Sequence, residues 1–446
     1  MILSFKTPWG ILIFVKIANL SMQNNFNATP EFAKQLDALD QIRPFRNEFY
    51  IPKNEKGEES LYLCGNSLGL QPKRAKKYIE EELEDWAKYG VDGHTKGKTP
   101  WLNYHELLTQ PMANIVGAKP IEVVVMNTLT TNLHLLMTSF YSPTPRRHKI
   151  LIEADAFPSD KYAVESQIKF HGYNPEESLI IWKSTDDKPL LKIEDLEQIL
   201  ETQGEEISLL LIGSVNYYTG QYFDLKQITK LAHSKGCMVG FDCAHGAGNV
   251  DLRLHDSGAD FAAWCSYKYL NSGPGSLAGI FVHERHAYNK NLNRFAGWWS
   301  HNKETRFKMR DEFDVLPGAE GWQLSNPPIL SMAAIKASLS VFEEARFPRL
   351  LEKSKKLSAY FEYLINNLKS ENISIITPKN TEDRGCQLSI RVRNANKSLH
   401  RKLEEANVIC DWREPDVIRC APVPLYNSYF DVFLTVERLE KILAEI

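Results

Sequence analysis

The chain has 446 residues, of which 43% are hydrophobic, 11% aromatic and 24% charged; this composition supports a sizeable buried core and excludes a disordered, collagen-like or miniprotein chain. Lys and Arg number 53 against 56 Asp and Glu, a formal charge of −3, so there is no global basic field for nucleic acid or an anionic membrane, and any polyanion site must be local. The seven cysteines, at 64, 237, 243, 265, 386, 410 and 420, form no CxxC pair, which argues against a disulfide framework and structural zinc and for reduced thiols in the cytoplasm.

The apolar run Ile11 to Val15 is cut off by Lys16 and falls far short of the roughly 20 residues a membrane span needs. Residues 1–30 are expected to form a loose extension, followed by an N-terminal helical segment over 31–120. In that segment PKRAKKYIEEELEDWAKYG places Ile79, Leu83 and Trp86 at helical spacing, with Pro72 near the start. From 121 to 326 short apolar runs alternate with helix-length segments. EVVVM, KILIEAD, SLIIW, ISLLLIG, MVGFD, ADFAAWC and LAGIFV read as strands, and 130–141, 159–171, 192–202 and 224–235 as helices between them. The strands are continuously apolar, as strands covered on both faces must be, which predicts an α/β domain with a mainly parallel, doubly wound sheet. After Pro327 and Pro328 the texture changes to helices at 329–345 and 348–368, short strands in ISII, CQLSIRV and NVICDW, and a last helix at 430–444. This predicts a smaller α+β domain over 327–446.

Ligands of open parallel sheets bind beyond the carboxyl ends of the strands, so the polar residues there carry the functional reading. In NTLTTNLHLL, Leu129 and Thr130 open a helix after a strand, and its free N–H groups and hydroxyls make an anion cup or a plain helix cap. In DAFPSD, Phe157 offers a flat apolar face beside Pro158, Ser159 and Asp160. Asp242 ends a strand with His245 three residues on, a spacing open to catalytic pairing, metal binding or capping; the chain offers too few further ligands for zinc. Lys268 follows the strand ADFAAWC between two tyrosines, where desolvation would make an ammonium easier to deprotonate, or where it is simply a loop lysine. Arg419 lies in the apolar, proline-rich stretch IRCAPVPLYN, as a carboxylate clamp or a structural ion pair. The glycines of GPGSLAG lead into a strand rather than a helix, so they do not form a dinucleotide fingerprint.

A phosphate cup, a stacking aromatic, a buried carboxylate and a nucleophilic lysine together match the needs of pyridoxal 5′-phosphate. Lys268 bonds the aldehyde, the helix start holds the phosphate, Phe157 covers the ring, and Asp242 keeps the ring nitrogen protonated.

From about Leu61 to Tyr429 the chain resembles the kynureninases, pyridoxal-phosphate hydrolases of tryptophan catabolism. The resemblance is carried by LYLCGNSLGLQP, MNTLTTNLHLL, AFPSDKYA, NYYTGQ, GFDCAHGAGNV, WCSYKYLNSGPG, TRFKM, LSNPPIL and APVPLYNS. It implies fold type I of the pyridoxal-phosphate enzymes and cleavage of L-kynurenine to anthranilate and L-alanine, or of 3-hydroxy-L-kynurenine to 3-hydroxyanthranilate and L-alanine, on the way to NAD. It also implies roles. Leu129, Thr130 and the run Phe157, Pro158, Ser159 and Asp160 contact the cofactor. Asp242 pairs with its ring nitrogen and His245 supports it. Tyr267 contacts the phosphate and shuttles a proton, and Lys268 carries the cofactor. Trp298 and Asn326 complete the pocket across a homodimer interface, Arg419 clamps the substrate α-carboxylate, and His94 meets its aromatic end. Gly213 departs from relatives that carry a hydroxyl there, leaving only a backbone contact unless Ser214 substitutes. The rival readings are an aminotransferase, a cysteine desulfurase, which needs a mobile active-site cysteine, and a non-catalytic protein retaining the fold.

Overall fold

The computed structural model describes residues 26–186, 188–368 and 370–445. After a two-residue strand β1 (Leu61–Tyr62), seven strands build the main sheet: β2 (Val123–Met126), β3 (Lys149–Glu153), β4 (Leu179–Trp182), β5 (Ile207–Gly213), β6 (Met238–Asp242), β7 (Phe261–Cys265) and β8 (Ala278–Val282). Their order is β2-β8-β7-β6-β5-β3-β4. Pairings among β3 to β7 are parallel, and β8 runs antiparallel to both its neighbours. The reversal follows from the connection: residues 266–277 are a helix-free loop, and without a crossover helix the chain can only return alongside β7 in the opposite sense.

Alternate residues of each strand feed opposite cores. Val124, Met126, Ile150, Ile152, Leu209 and Leu211 pack with Leu133, Leu136 and Met137 of the helix Leu129–Phe140 and with Val164 and Ile168 of the helix Pro158–Phe170. Val123, Val125, Leu151, Leu210, Ile212, Val239 and Phe241 pack on the other face with Leu196 and Leu200 of Ile193–Gln203 and Ile228 of Leu225–Ser234. Two covered faces are why the strand sequences read as unbroken apolar runs.

A second sheet, ordered β12-β13-β10-β9, is antiparallel and consists of β9 (Ile373–Ile375), β10 (Leu388–Val392), β12 (Asp411–Arg413) and β13 (Val417–Cys420). It shares a core with the helices Phe347–Asn366 and Tyr429–Leu443 and with Ala33, Leu61 and Leu63 from the N-terminal segment. Strand β11 (Val408–Ile409) pairs in parallel with β1, tying that segment to this part of the chain.

Four expectations are corrected. The helix Ile329–Ala345 puts Met332, Ala333, Ile335, Leu339 and Phe342 into the core of the large sheet, and beyond it the chain joins the other core only from Leu357. Pro327 and Pro328 therefore mark where an element starts and not where packing changes. In the helix Arg74–Tyr89, Leu83 and Trp86 are exposed; that helix packs through Ala75, Tyr78, Ile79 and Glu82, whose carboxylate accepts the Trp101 indole N–H at 2.9 Å. Arg419 stands on a strand, β13, which the flanking prolines obscured. The loose extension over 1–30 lies outside the described residues up to 25, but from Phe26 onward the chain is packed. Phe26 meets Tyr360 edge-on at 5.3 Å, and Thr29 caps the helix Pro30–Leu39.

Among the described residues no helix is long and apolar enough to cross a membrane. All seven cysteines are free, and only Cys64 is not fully buried.

Candidate active site

The carboxyl ends of β3, β5, β6 and β7 lie at one edge of the large sheet. There a cavity of about 430 Å³ opens between the sheet and β13 of the smaller one. Leu129, Thr130, Phe157, Ser159, Asp160, Gly213, Asp242, His245, Tyr267, Lys268 and Arg419 all line it.

Leu129 and Thr130 form the first turn of a twelve-residue helix whose N-cap, Thr128, makes no side-chain capping bond, so the leading N–H groups are left for a ligand. The Thr130 and Ser159 hydroxyls meet at 3.0 Å beside them. Pro158 occupies the first turn of its own helix and does not line the cavity. Phe157 stands edge-on to Tyr217 at 5.3 Å, and the Lys268 Nζ lies 5.9 Å from the Phe157 ring centroid.

Asp242, at the end of β6, accepts the Ala244 N–H on Oδ1 at 2.7 Å. Burial pushes its carboxyl upward, while a hydrogen bond with Asp160, the Ala244 N–H and Lys268 pull it back. Asp160 is raised further, by burial first and then by the Asp242 charge. The proton shared by this pair therefore favours Asp160 over Asp242. His245 is pushed well down by burial and by Lys268, Arg419 and Arg413, so it is neutral, and its buried Nδ1 has no hydrogen-bond partner among the described residues. Burial drives the Tyr267 phenol upward and keeps it protonated.

Close backbone approach explains the glycines of LYLCGNSLGLQP. The Gly69 N–H donates to the Tyr267 carbonyl at 2.8 Å, and a Cβ there would lie 2.2 Å from the Lys268 carbonyl oxygen. A Cβ at Gly65 would lie 2.4 Å from Val423, where the APVPLYN segment passes. This fit brings Asn66 and Ser67 to the cavity wall. Arg419, with a side chain 1% exposed, pairs with Asp411 and donates from Nη1 to the Tyr217 carbonyl at 2.6 Å. Arg413 Nη2 reaches the same Asp411 oxygen at 3.0 Å.

Besides Pro158, three expected site residues do not line the cavity within one chain. His94 packs edge-on to Trp101 at 5.5 Å in a 3-10 turn. Trp298 donates its indole N–H to the Arg306 carbonyl at 3.2 Å and lines a separate groove. Asn326 is exposed just before the prolines. Conversely, Asn66, Ser67, Glu153, Tyr217 and Arg413 line the cavity without having been singled out.

Residues 350–439 match the family model described as the kynureninase C-terminal domain. A kynureninase from Myxococcus xanthus (strain DK1622) is 56% identical over 415 residues, covering 93% of this chain and 97% of that one. The Mus musculus kynureninase is 46% identical and covers 96% of both. The chain belongs to the kynureninase family. Among solved structures it is similar to a cysteine desulfurase from Thermococcus onnurineus NA1, with a TM-score of 0.71, 16% identity and coverage of 87% and 95%. C-DES, in a mutant with glycine linked to its PLP cofactor, gives a TM-score of 0.73 at 15% identity, covering 89% and 98%. The fold is type I of the pyridoxal-phosphate enzymes, and this kynureninase-family chain is accordingly a pyridoxal-phosphate-dependent protein. No cysteine lines the cavity among the described residues.

Proposed function

We infer that the chain is a kynureninase, hydrolysing the Cβ–Cγ bond of L-kynurenine to anthranilate and L-alanine, and of 3-hydroxy-L-kynurenine to 3-hydroxyanthranilate and L-alanine, in tryptophan catabolism and NAD biosynthesis. The observation that carries this is the meeting of Lys268, Asp242 and Arg419 on one cavity in a chain of this family. Bound pyridoxal 5′-phosphate supplies a protonated ring that draws electron density from the substrate α-carbon. The residues present fit it: open helix N–H groups at Leu129 and Thr130, an aromatic face at Phe157, a buried carboxylate at Asp242 and an orphaned nitrogen on His245.

In this reading the Leu129 and Thr130 turn, with Ser159, binds the phosphate, and Asp242 keeps a proton on the ring nitrogen. Neutral His245 adds no competing charge there. The Lys268 Nζ would hold the cofactor and, when free, would accept the substrate Cα proton. Water must add at the γ-carbonyl before the Cβ–Cγ bond breaks, so that the aromatic half leaves as a carboxylic acid, and the protonated Tyr267 hydroxyl would then supply a proton to Cβ. Arg419 binds the α-carboxylate: two guanidiniums share the single Asp411 charge, leaving one net positive charge for the substrate. A homodimer supplies Trp298, Asn326 and His94 from a second copy at the aromatic end of the substrate, and the protein works in the cytoplasm. We assign residues 121–326 together with the helix Ile329–Ala345 to the cofactor-binding domain, and the chain from 347 on to the smaller one.

Purified protein loaded with cofactor and given L-kynurenine is expected to release anthranilate and L-alanine in equal amounts. Formation of kynurenic acid instead would reassign it to transamination.

A further inference from the structure

Strand β3 ends on Glu153, a carboxyl only 4% exposed that lines the cavity and has no role in the assignment above. Its Oε1 accepts the Gly213 N–H at 3.0 Å, and a Cβ added at Gly213 would lie 2.9 Å from that same oxygen. The glycine at the end of β5 is therefore the complement of this carboxyl: Glu153 fills the space that a side chain at 213 would take. The charged groups acting on Glu153 are Asp242 on β6 and Asp155 in its own turn, and Asp160, at the start of the adjoining helix, feels its charge in return. Lys268 draws on Asp160 and Asp242, and Arg413 and Arg419 line the same cavity, but among the described residues Glu153 has no salt bridge. Three carboxyls thus line one cavity, and Lys268 acts on two of them. An unpaired buried carboxylate is costly enough that such groups take up protons instead.

We propose that Glu153 is a positioning residue that stands in the site protonated, anchoring Gly213 and leaving Asp242 the one carboxylate of the Glu153, Asp160 and Asp242 set. The inference rests on reading the cavity as the cofactor site. Burial pushes the Glu153 carboxyl up to about 7, the Gly213 N–H opposing and Asp242 and Asp155 adding to the rise. The proton is thus held on the acid side of neutrality and lost as pH rises through that value, when a second carboxylate would face Asp242.

Two measurements test this. Infrared spectra of the cofactor-free protein, recorded across neutral pH, are expected to show a protonated-carboxyl stretch that titrates near neutrality and is missing in Glu153→Gln. Fluorescence titration with pyridoxal 5′-phosphate on the acid side of neutrality is expected to leave Glu153→Gln within about threefold of the parent, because its uncharged amide oxygen still accepts the Gly213 N–H. Glu153→Ala strands that N–H and should bind roughly tenfold more weakly. Absence of the infrared band from the parent protein, or a Glu153→Gln variant as weak as Glu153→Ala, overturns the proposal. If the parent failed to bind the cofactor at all, the reading of the cavity would fall, while the infrared band would still decide the protonation of Glu153.

Discussion

Replacing Arg419 by Ala separates a substrate clamp from a structural ion pair. The guanidinium has five N–H donors. One is spent on the Tyr217 carbonyl at 2.6 Å, another on Asp411, and the buried Nε–H has no partner among the described residues. Asp411 keeps Arg413 at 3.0 Å when Arg419 is removed, so its carboxylate is not left stranded. What is lost is the one net positive charge at this end of the cavity. Removing one partner of a buried, hydrogen-bonded charge pair costs about 3–5 kcal/mol, so kcat/KM for L-kynurenine should fall on the order of a hundredfold or more. Cofactor affinity, set at the far end by Leu129, Thr130 and Ser159, should change by no more than about threefold. Steady-state kinetics on the variant, alongside titration of its cofactor-free form with pyridoxal phosphate, gives both numbers. Equal losses in the two would make Arg419 a strut between β13 and the Tyr217 loop and refute the charge argument.

Lys268→Ala should keep its fold by circular dichroism, gain no cofactor mass after borohydride treatment and lose at least roughly a thousandfold in rate; mass retained by the variant would place the covalent bond elsewhere. Gly240→Ala would drive a Cβ to within 2.1 Å of the fully buried Phe261 ring, directly across from it on β7. We expect a loss of about 1–3 kcal/mol in chemical denaturation, and weaker cofactor binding because the same strand carries Asp242; an unchanged midpoint would show that the ring can move aside. Asp260 is buried, which alone would raise its carboxyl. His233 and His286 at 2.8 Å and the Val239 N–H at 2.8 Å instead hold it well below the usual 3.8. A depressed pKa stabilises the fold above the unfolded value and ceases to do so as pH falls through the folded one. Asp260→Asn should therefore cost about 3 kcal/mol near neutrality, and its melting temperature should converge on the parent's in acid; a pH-independent gap would assign the loss to packing.

The fold was legible where one physical requirement governed a whole segment. Apart from the edge strand β4, whose Ile181 is exposed, the strands of the large sheet are covered on both faces, so residues 209–212 or Phe261–Cys265 had to be apolar, and the run itself announced the strand. The helix Arg74–Tyr89 was read correctly as a helix but not in its orientation, because periodicity reports that a stripe exists and not which neighbour meets it. Glu82 is buried because Trp101 donates to it, a contact separated by nineteen residues of sequence that no local pattern contains.

The same distinction divides the site. Asp242 and Lys268 were visible because one ends its strand and the other closely follows its own, and strand ends in a parallel sheet must converge on one edge. Glu153 obeys that rule equally well, as the last residue of β3, in the same final strand position as Asp242. Asn66, Tyr217 and Arg413 follow no such rule. They arrive from the turn after β1, the turn after β5 and the edge of the second sheet: Asn66 is placed by a long-range bond to Gln387 at 3.0 Å, Tyr217 by its carbonyl's long-range bond from Arg419, and Arg413 by its position on β12, which pairs with β13. A sheet edge can fix a cofactor's chemistry from within one segment of chain. The walls that choose a substrate are assembled from distant segments, so the cofactor class was readable from spacing, whereas the wall residues emerge only when the two sheets are brought together.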